Sequence, residues 1–191
     1  MPELITTHRR LLDARRHALN LVGVGPLEDH YRDSAQAVGW LQPHGHWVDL
    51  GAGAGFPGIV FAAKFPHVAI DLVEIRRKRA TFLEAVLLES GESRPAPIVV
   101  RCEDASRLPP GQYDGVISRA FAPPAQVLQH ARRLLRPGGT LVLLLQDDAH
   151  APPADDFTPM GQHRYRFGAG WRKAVALIKR EYGPPVGTPP P

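Results

Sequence analysis

The feature that most constrains this chain is the run His46-Trp47-Val48-Asp49-Leu50-Gly51-Ala52-Gly53-Ala54-Gly55-Phe56-Pro57-Gly58, a short apolar stretch, an acid, then glycine at every second position. Val48 and Leu50 have the character of a buried strand end. The glycines that follow permit a tight turn and a close backbone approach to a ligand, because they carry no Cβ. Proline suits the first helical turn, so a helix is expected to start near Pro57. Strand, glycine turn and helix together form a cradle for nucleotide-like ligands. So many glycines in one turn lower stability unless they are used, which argues against an idle loop.

Two cofactor classes fit the cradle. Gly53-x-Gly55-x-x-Gly58 matches a dinucleotide fingerprint, which keeps a nicotinamide-dependent oxidoreductase as a rival, while Asp49-x-Gly51-x-Gly53-x-Gly55 matches the loop that binds S-adenosyl-L-methionine (AdoMet). A carboxylate at the end of an inner strand is costly to bury unless a cation lies beside it. AdoMet brings an ammonium and a sulfonium, whereas a pyrophosphate would be repelled. AdoMet is therefore the expected cofactor, and Asp49, Gly51, Gly53 and Gly55 are its first candidate contacts.

Strands and helices alternate along the rest of the chain. Helical spacing runs from Leu4 to Val22 and from about Leu27 to Leu41, the second with His30, Asp33 and Ser34 on one side. Strands are expected at Val68 to Glu74, Ile98 to Arg101, Tyr113 to Ala122 and Thr140 to Leu145, with helices after Arg76 and from Pro124 to Leu135 and a turn at Arg136 to Gly139. Ala149 to Pro159 has loop composition, and Tyr165 to Phe167 with Ala174 to Lys179 would supply a closing antiparallel pair. The pattern predicts an α/β fold around a mostly parallel, doubly wound sheet. The expected organisation is a helical region over residues 1–45 packed on the core, a cofactor-binding domain over 46–182, and an extended or disordered proline-rich tail over 183–191.

In such a sheet, ligands bind at the carboxyl ends of the strands. Glu74, at the tip of the second strand, suits the two hydroxyls of a ribose. Asp104, after the third strand, suits the adenine amino group or a turn cap. Arg119 ends the fourth strand where the crevice should lie. Arg76, Arg77, Lys78 and Arg79 open a helix, where cations oppose the macrodipole and invite an external anion. With Arg9, Arg10, Arg15 and Arg16 they form a candidate phosphate-binding surface, the alternative being a solvated basic face. Phe121 either stacks on a base or packs in the core.

The net charge of +4 is compatible with a polyanionic partner without requiring one. A single cysteine, Cys102, precludes an intrachain disulfide and fits a reducing compartment. No apolar run approaches the ~18 residues of a membrane span, and the amino terminus lacks an apolar signal core, so a cytoplasmic monomer is expected. No cluster has metal-ligand spacing.

Taken together, Asn20-Leu21, His30-x-x-Asp33-Ser34, Asp49-x-Gly51-x-Gly53-x-Gly55-Phe56-Pro57-Gly58, Lys78-Arg79-x-x-Phe82-Leu83 and Asp114-Gly115-Val116-Ile117-Ser118-Arg119-Ala120-Phe121-Ala122 resemble the RsmG, or GidB, family. Its members are bacterial methyltransferases that use AdoMet to methylate guanine N7 of small-subunit (16S) ribosomal RNA. The resemblance implies a seven-stranded class I methyltransferase sheet, ribosomal RNA or the small ribosomal subunit as partner, and AdoMet contacts from Gly51, Phe56, Asp104, Ala105 and Arg119. It departs where the family usually has a lysine and a glycine after the fifth strand, since Leu145, Gln146, Asp147 and Asp148 stand there. Acids near a substrate mouth would repel phosphate. Another RNA or a small molecule as substrate, or a non-catalytic relative that binds AdoMet or RNA, therefore remain alternatives. N7 offers a lone pair and no proton, so alignment can carry the reaction without a general base. Arg119 is expected to be essential through the AdoMet carboxylate, guanine O6 or a phosphate, the alternative being a salt bridge to a nearby acid.

Overall fold

A computed structural model describes residues 3–15, 21–22, 26–91 and 93–180. One seven-stranded sheet forms its centre, in the order β3-β2-β1-β4-β5-β7-β6. The strands are β1 (His46–Leu50), β2 (Ala69–Val73), β3 (Ile98–Arg101), β4 (Tyr113–Arg119), β5 (Leu135–Gln146), β6 (Phe157–Phe167) and β7 (Gly170–Lys179). β1 to β5 pair in parallel, and β7 runs antiparallel to both β5 and β6. The order turns back on itself between β1 and β4, and this switch point opens a crevice at the strands' carboxyl ends.

Because side chains alternate across a strand, each face of the sheet collects its own core. Trp47, Ile70, Leu72, Ile117 and Val142 face α1 (Glu3–Arg15), α2 (Leu27–Val38), α3 (Gly58–Lys64) and α4 (Arg77–Ser90). Val48, Leu50, Val116, Leu141 and Leu143 face α5 (Pro124–Leu134) and the short 3₁₀ turn Ala105–Arg107. Leu4, Leu11 and Leu12 of α1 and Tyr31 of α2 share one apolar cluster with Phe56, Ile59 and Leu83, so the two leading helices are built into the same core as the glycine loop.

Several boundaries differ from those expected. Helix α1 is described to Arg15, and Leu21 and Val22 lie outside it. Arg16, Asn20, Gly23 to Gly25 and the tail from residue 181 lie outside the described residues. Helix α2 stops at Val38, three residues early, where the Leu41 amide turns back onto the Val38 carbonyl. The expected turn at Arg136 to Gly139 is a bulge inside β5: Tyr113 pairs with Leu135 but Gly115 pairs with Thr140. The closing pair is longer than its apolar cores, and Phe157 to Pro159, expected as loop, begins β6. Backbone pairing to β7 extends these strands through residues with no periodic apolar pattern.

One buried acid ties four strands together. Asp71 of β2 is 1% exposed and accepts hydrogen bonds from Tyr113 Oη (2.7 Å), His46 Nε2 (3.0 Å) and Arg101 Nε. Burial alone would raise its pKa, but these donors hold it below the usual carboxylate range. Tyr113→Phe is expected to cost about 1–3 kcal/mol of unfolding free energy, because it strips a donor from a buried carboxylate. Urea titration of the two proteins at pH 7 checks this.

Candidate active site

The glycine loop takes its shape from what lies on either side of it. The Gly51 and Ala52 amides both donate to the Val73 carbonyl at the end of β2 (3.0 and 2.9 Å), which folds the chain back over the sheet. Gly51 sits at φ +72°, and a Cβ there would meet the Phe121 ring at 2.7 Å. At the other end, a Cβ on Gly58 would strike Asp49 Oδ2 at 2.5 Å, so only glycine lets α3 start directly on that acid.

Asp49 does not stand where a ligand cation would meet it. Its residue is 0% exposed, on the face covered by α3, and Oδ2 accepts the Gly58 amide at 2.9 Å. It caps α3 from beneath the loop. Burial pushes its carboxyl up to about 7, the Gly58 bond and Arg119 pulling the other way, and Oδ1 has no hydrogen-bond partner among the described residues. Its influence on a ligand therefore passes through the loop it holds.

A second brace comes from the leading helices. His8 of α1 is 0% exposed, its Nε2 lies 2.6 Å from the Ala54 carbonyl, and its Nδ1 lies 2.7 Å from Tyr31 Oη. A carbonyl can only accept, so the proton belongs on Nε2, and the Tyr31 hydroxyl donates to Nδ1. Phe56 packs among the rings of His8, Tyr31 and His30, with the Arg119 guanidinium 5.3 Å from its centre. Nothing in the sequence marks His8 as part of the loop, beyond its being a polar residue on the buried stripe of α1.

Two hollows open side by side above the sheet. The first, of about 240 Å³, is lined by Gly51, Glu74, Arg76, Asp104, Ala105 and Phe121, among others. Glu74 receives the Gly53 amide on Oε2 (3.1 Å) and the Arg76 amide on Oε1 (2.8 Å), and each oxygen keeps a further lone pair. Asp104 caps the 3₁₀ turn through the Ser106 amide at 2.8 Å, and that bond holds its exposed carboxyl below the usual range. Gly53 meets the hollow through Glu74, whereas Gly55 and Phe56 lie behind the loop, toward α1 and α2. Phe121 lies over Gly51 and edge-on to His130, so its ring packs on the glycine loop.

The second hollow, of about 420 Å³, is lined by His30, Arg119, Leu144, Gln146, Tyr165 and Arg172, among others. Asp33, 1% exposed, forms its polar floor. Tyr165 Oη donates to Oδ1 (3.0 Å), while Arg119 Nη1 (3.0 Å) and Arg172 Nη1 (2.7 Å) both donate to Oδ2. Arg119 thus makes the salt bridge that was its alternative role and still reaches the hollow. Two guanidiniums share one carboxylate, which leaves the cavity cationic. Burial, then Arg119, lowers the His30 pKa, so that side chain is neutral at pH 7.

The candidate basic surface divides. Arg76 and Arg79 line the first hollow, and Arg77 and Lys78 stand exposed at the start of α4. Arg9 pairs with Glu28 at 2.6 Å and Arg10 with Glu89 at 2.7 Å, so their charge is largely answered within the chain.

A family model described as "GidB: rRNA small subunit methyltransferase G" matches residues 4–151. The chain belongs to this family. It is similar to the Ribosomal RNA small subunit methyltransferase G of Wolinella succinogenes, at 30% identity over 89% of this chain and 90% of that protein. The protein of that name from Rhodospirillum centenum is 38% identical over 71% of this chain and 62% of its own length. Among solved structures, P. horikoshii TYW2 in complex with MeSAdo superimposes with a TM-score of 0.61 at 13% identity, covering 86% of this chain and 67% of that one. TrmN from Thermus thermophilus gives 0.54 at 20% identity, over 78% and 48% of the two chains. Identities this low carry the fold alone. Against the usual GidB pattern, one of the two acids after β5 is tied down: Arg164 Nε and Nη2 each donate to Asp147 at 2.7 Å, and Lys173 donates to its carbonyl at 2.8 Å.

The two buried groups that hold the loop titrate in opposite senses. The His8 pKa is depressed from 6.5 to about 4 by burial, so between those values the unfolded chain binds more protons and acid removes stability. The Asp49 pKa is raised from 3.8 to about 7, so over that window the folded chain binds more protons and acid adds stability. His8→Phe leaves only the second effect. Relative to wild type, that variant is expected to gain about 2 kcal/mol as pH falls from 6.5 to 5, at 1.36 kcal/mol per unit. Urea titrations of both proteins at the two pH values measure the difference.

Proposed function

We propose that this chain is a cytoplasmic, monomeric AdoMet-dependent methyltransferase that modifies guanine N7 of small-subunit ribosomal RNA. The first hollow suits the cofactor: Gly51 lines it with bare backbone and lets Phe121 close down beside it, Glu74 retains acceptor capacity for ribose hydroxyls, and Asp104 with Ala105 borders the place for adenine. When bound, AdoMet supplies an electrophilic methyl group on a positively charged sulfur. Relatives named for rRNA methylation and a structural neighbour crystallised with MeSAdo support the assignment.

The observation that carries the reading is the state of Asp33. Among the described residues it is the one carboxylate that lines the second hollow, and both its oxygens are occupied by Tyr165, Arg119 and Arg172. The cavity therefore offers no free carboxylate, and the base it does hold, neutral His30, is weaker than a free imidazole because burial lowers its pKa. Such a cavity is suited to an acceptor that needs no proton removed, such as N7. Arg119 and Arg172 would hold guanine O6 or a neighbouring phosphate, leaving the N7 lone pair clear. Leu144, Ala122 and Pro124 give the base an apolar wall. Alignment of this kind lowers barriers by ~7 kcal/mol or more in favourable cases.

Tritiated AdoMet incubated with an unmodified 16S rRNA transcript, naked or assembled into small subunits, is expected to label a guanine at N7. Label at another position or in no RNA would overturn the proposal. Arg119→Ala should lower turnover about a hundredfold, in the range set by loss of one transition-state donor. It should remain folded, because Arg172 and Tyr165 still answer Asp33. Gly51→Ala should abolish the thermal shift given by AdoMet, since strain at φ +72° and the Phe121 ring both oppose a methyl group there.

A further inference from the structure

The charge of this chain is unevenly distributed. Residues 157–180 hold six of the 23 lysines and arginines and none of the 19 acids, so the remainder carries 17 cations against 19 acids. The whole of the net +4 resides in the β6–β7 hairpin, beyond the span 4–151 that matches the family.

The two faces of that hairpin have different company. Tyr165 and Arg172 are directly paired and turn toward Asp33 and the second hollow. Arg164 pairs with Lys173, and Arg166 with Trp171, so these four share the opposite, outer face. There Trp171 is 41% exposed, with the Arg164 guanidinium 4.3 Å and the Arg166 guanidinium 5.7 Å from its ring centre. Among the described residues no carboxylate is within ion-pairing reach of Arg166. Asp147 holds Arg164 through Nε and Nη2, and among the described residues Nη1 has no hydrogen-bond partner and is left for a phosphate. The turn of the hairpin, Gly168-Ala169-Gly170, is built of small residues, so little separates the two faces.

We infer that this outer face, formed by Arg164, Arg166, Trp171 and Lys173, docks the single-stranded RNA that flanks the target base. Phosphates lie against the guanidiniums and the ammonium, and an unpaired base stacks on Trp171. Cation and aromatic side by side is the combination that holds single strands without reading sequence. Arg172 lines the second hollow and its neighbour Trp171 lies on the outer face, so a strand with one base in the hollow has the outer face one residue away. The inference rests on the function proposed above and deepens it by naming where the RNA lies.

The test compares wild type, Arg164→Gln/Arg166→Gln, Trp171→Ala, Trp171→Phe and the triple Arg164→Gln/Arg166→Gln/Trp171→Ala on the unmodified 16S rRNA transcript and on small subunits assembled from it. The double variant is expected to raise KM for RNA about tenfold and to make its dependence on log salt concentration shallower by about 1 to 2. Trp171→Ala should raise KM about tenfold, and Trp171→Phe should restore most of it. AdoMet affinity by calorimetry should stay within twofold throughout, which a folding defect would not allow. A triple variant with wild-type KM and salt slope on both substrates would overturn the inference while leaving the function standing. A wild-type chain that methylates neither substrate would overturn both.

Discussion

A carboxyl group that never meets solvent determines the arrangement above the sheet. Asp49 ends β1 on the face roofed by α3, and the Gly58 amide closes on it at 2.9 Å. That bond fixes where α3 starts, and with the Val73 carbonyl gripping Gly51 and Ala52 it leaves the intervening glycines one path. The loop then carries consequences in two directions. Forward, it presents Gly51 beneath Phe121. Backward, Ala54 and Phe56 take hold of His8 and Tyr31, so the leading helices become part of the loop's support.

Legibility followed the range of the interactions. The strand, the glycine turn, the onset of α3, Glu74 at the tip of β2 and the alternation of elements are local and were readable in order along the chain. The constellation around Asp33 was not, because its partners Arg119, Tyr165 and Arg172 lie 86, 132 and 139 positions away. Asp33 showed as a polar residue on one side of a helix and as part of a family segment, with nothing to name its partners. Arg172 lies before the expected strand Ala174 to Lys179, in the part of β7 that only backbone pairing adds. Asp49 illustrates a different gap: the sequence correctly demanded a partner for a buried acid, but the nearest one was a backbone amide nine residues on.

Charge followed the same rule. The arginines that crowd α1 drew attention by number, yet Glu28 and Glu89 answer two of them across helix surfaces. Asp147 threatened a substrate mouth on paper but is clasped by Arg164 from β6. The β6–β7 hairpin, whose strands read as two short apolar segments, holds the basic excess instead. Pairing at a distance, rather than composition, decided which charges remain available.

Ala120 has a left-handed backbone at φ 54°, where a residue other than glycine is uncommon. That single bend sends Arg119 to one cavity and Phe121 to the other, and Ala120 itself borders both. The septum between the two chambers is therefore no thicker than a methyl side chain and its backbone. On the function proposed, donor and acceptor need cross only that width, so the size of one small residue sets how near the two reactants can come.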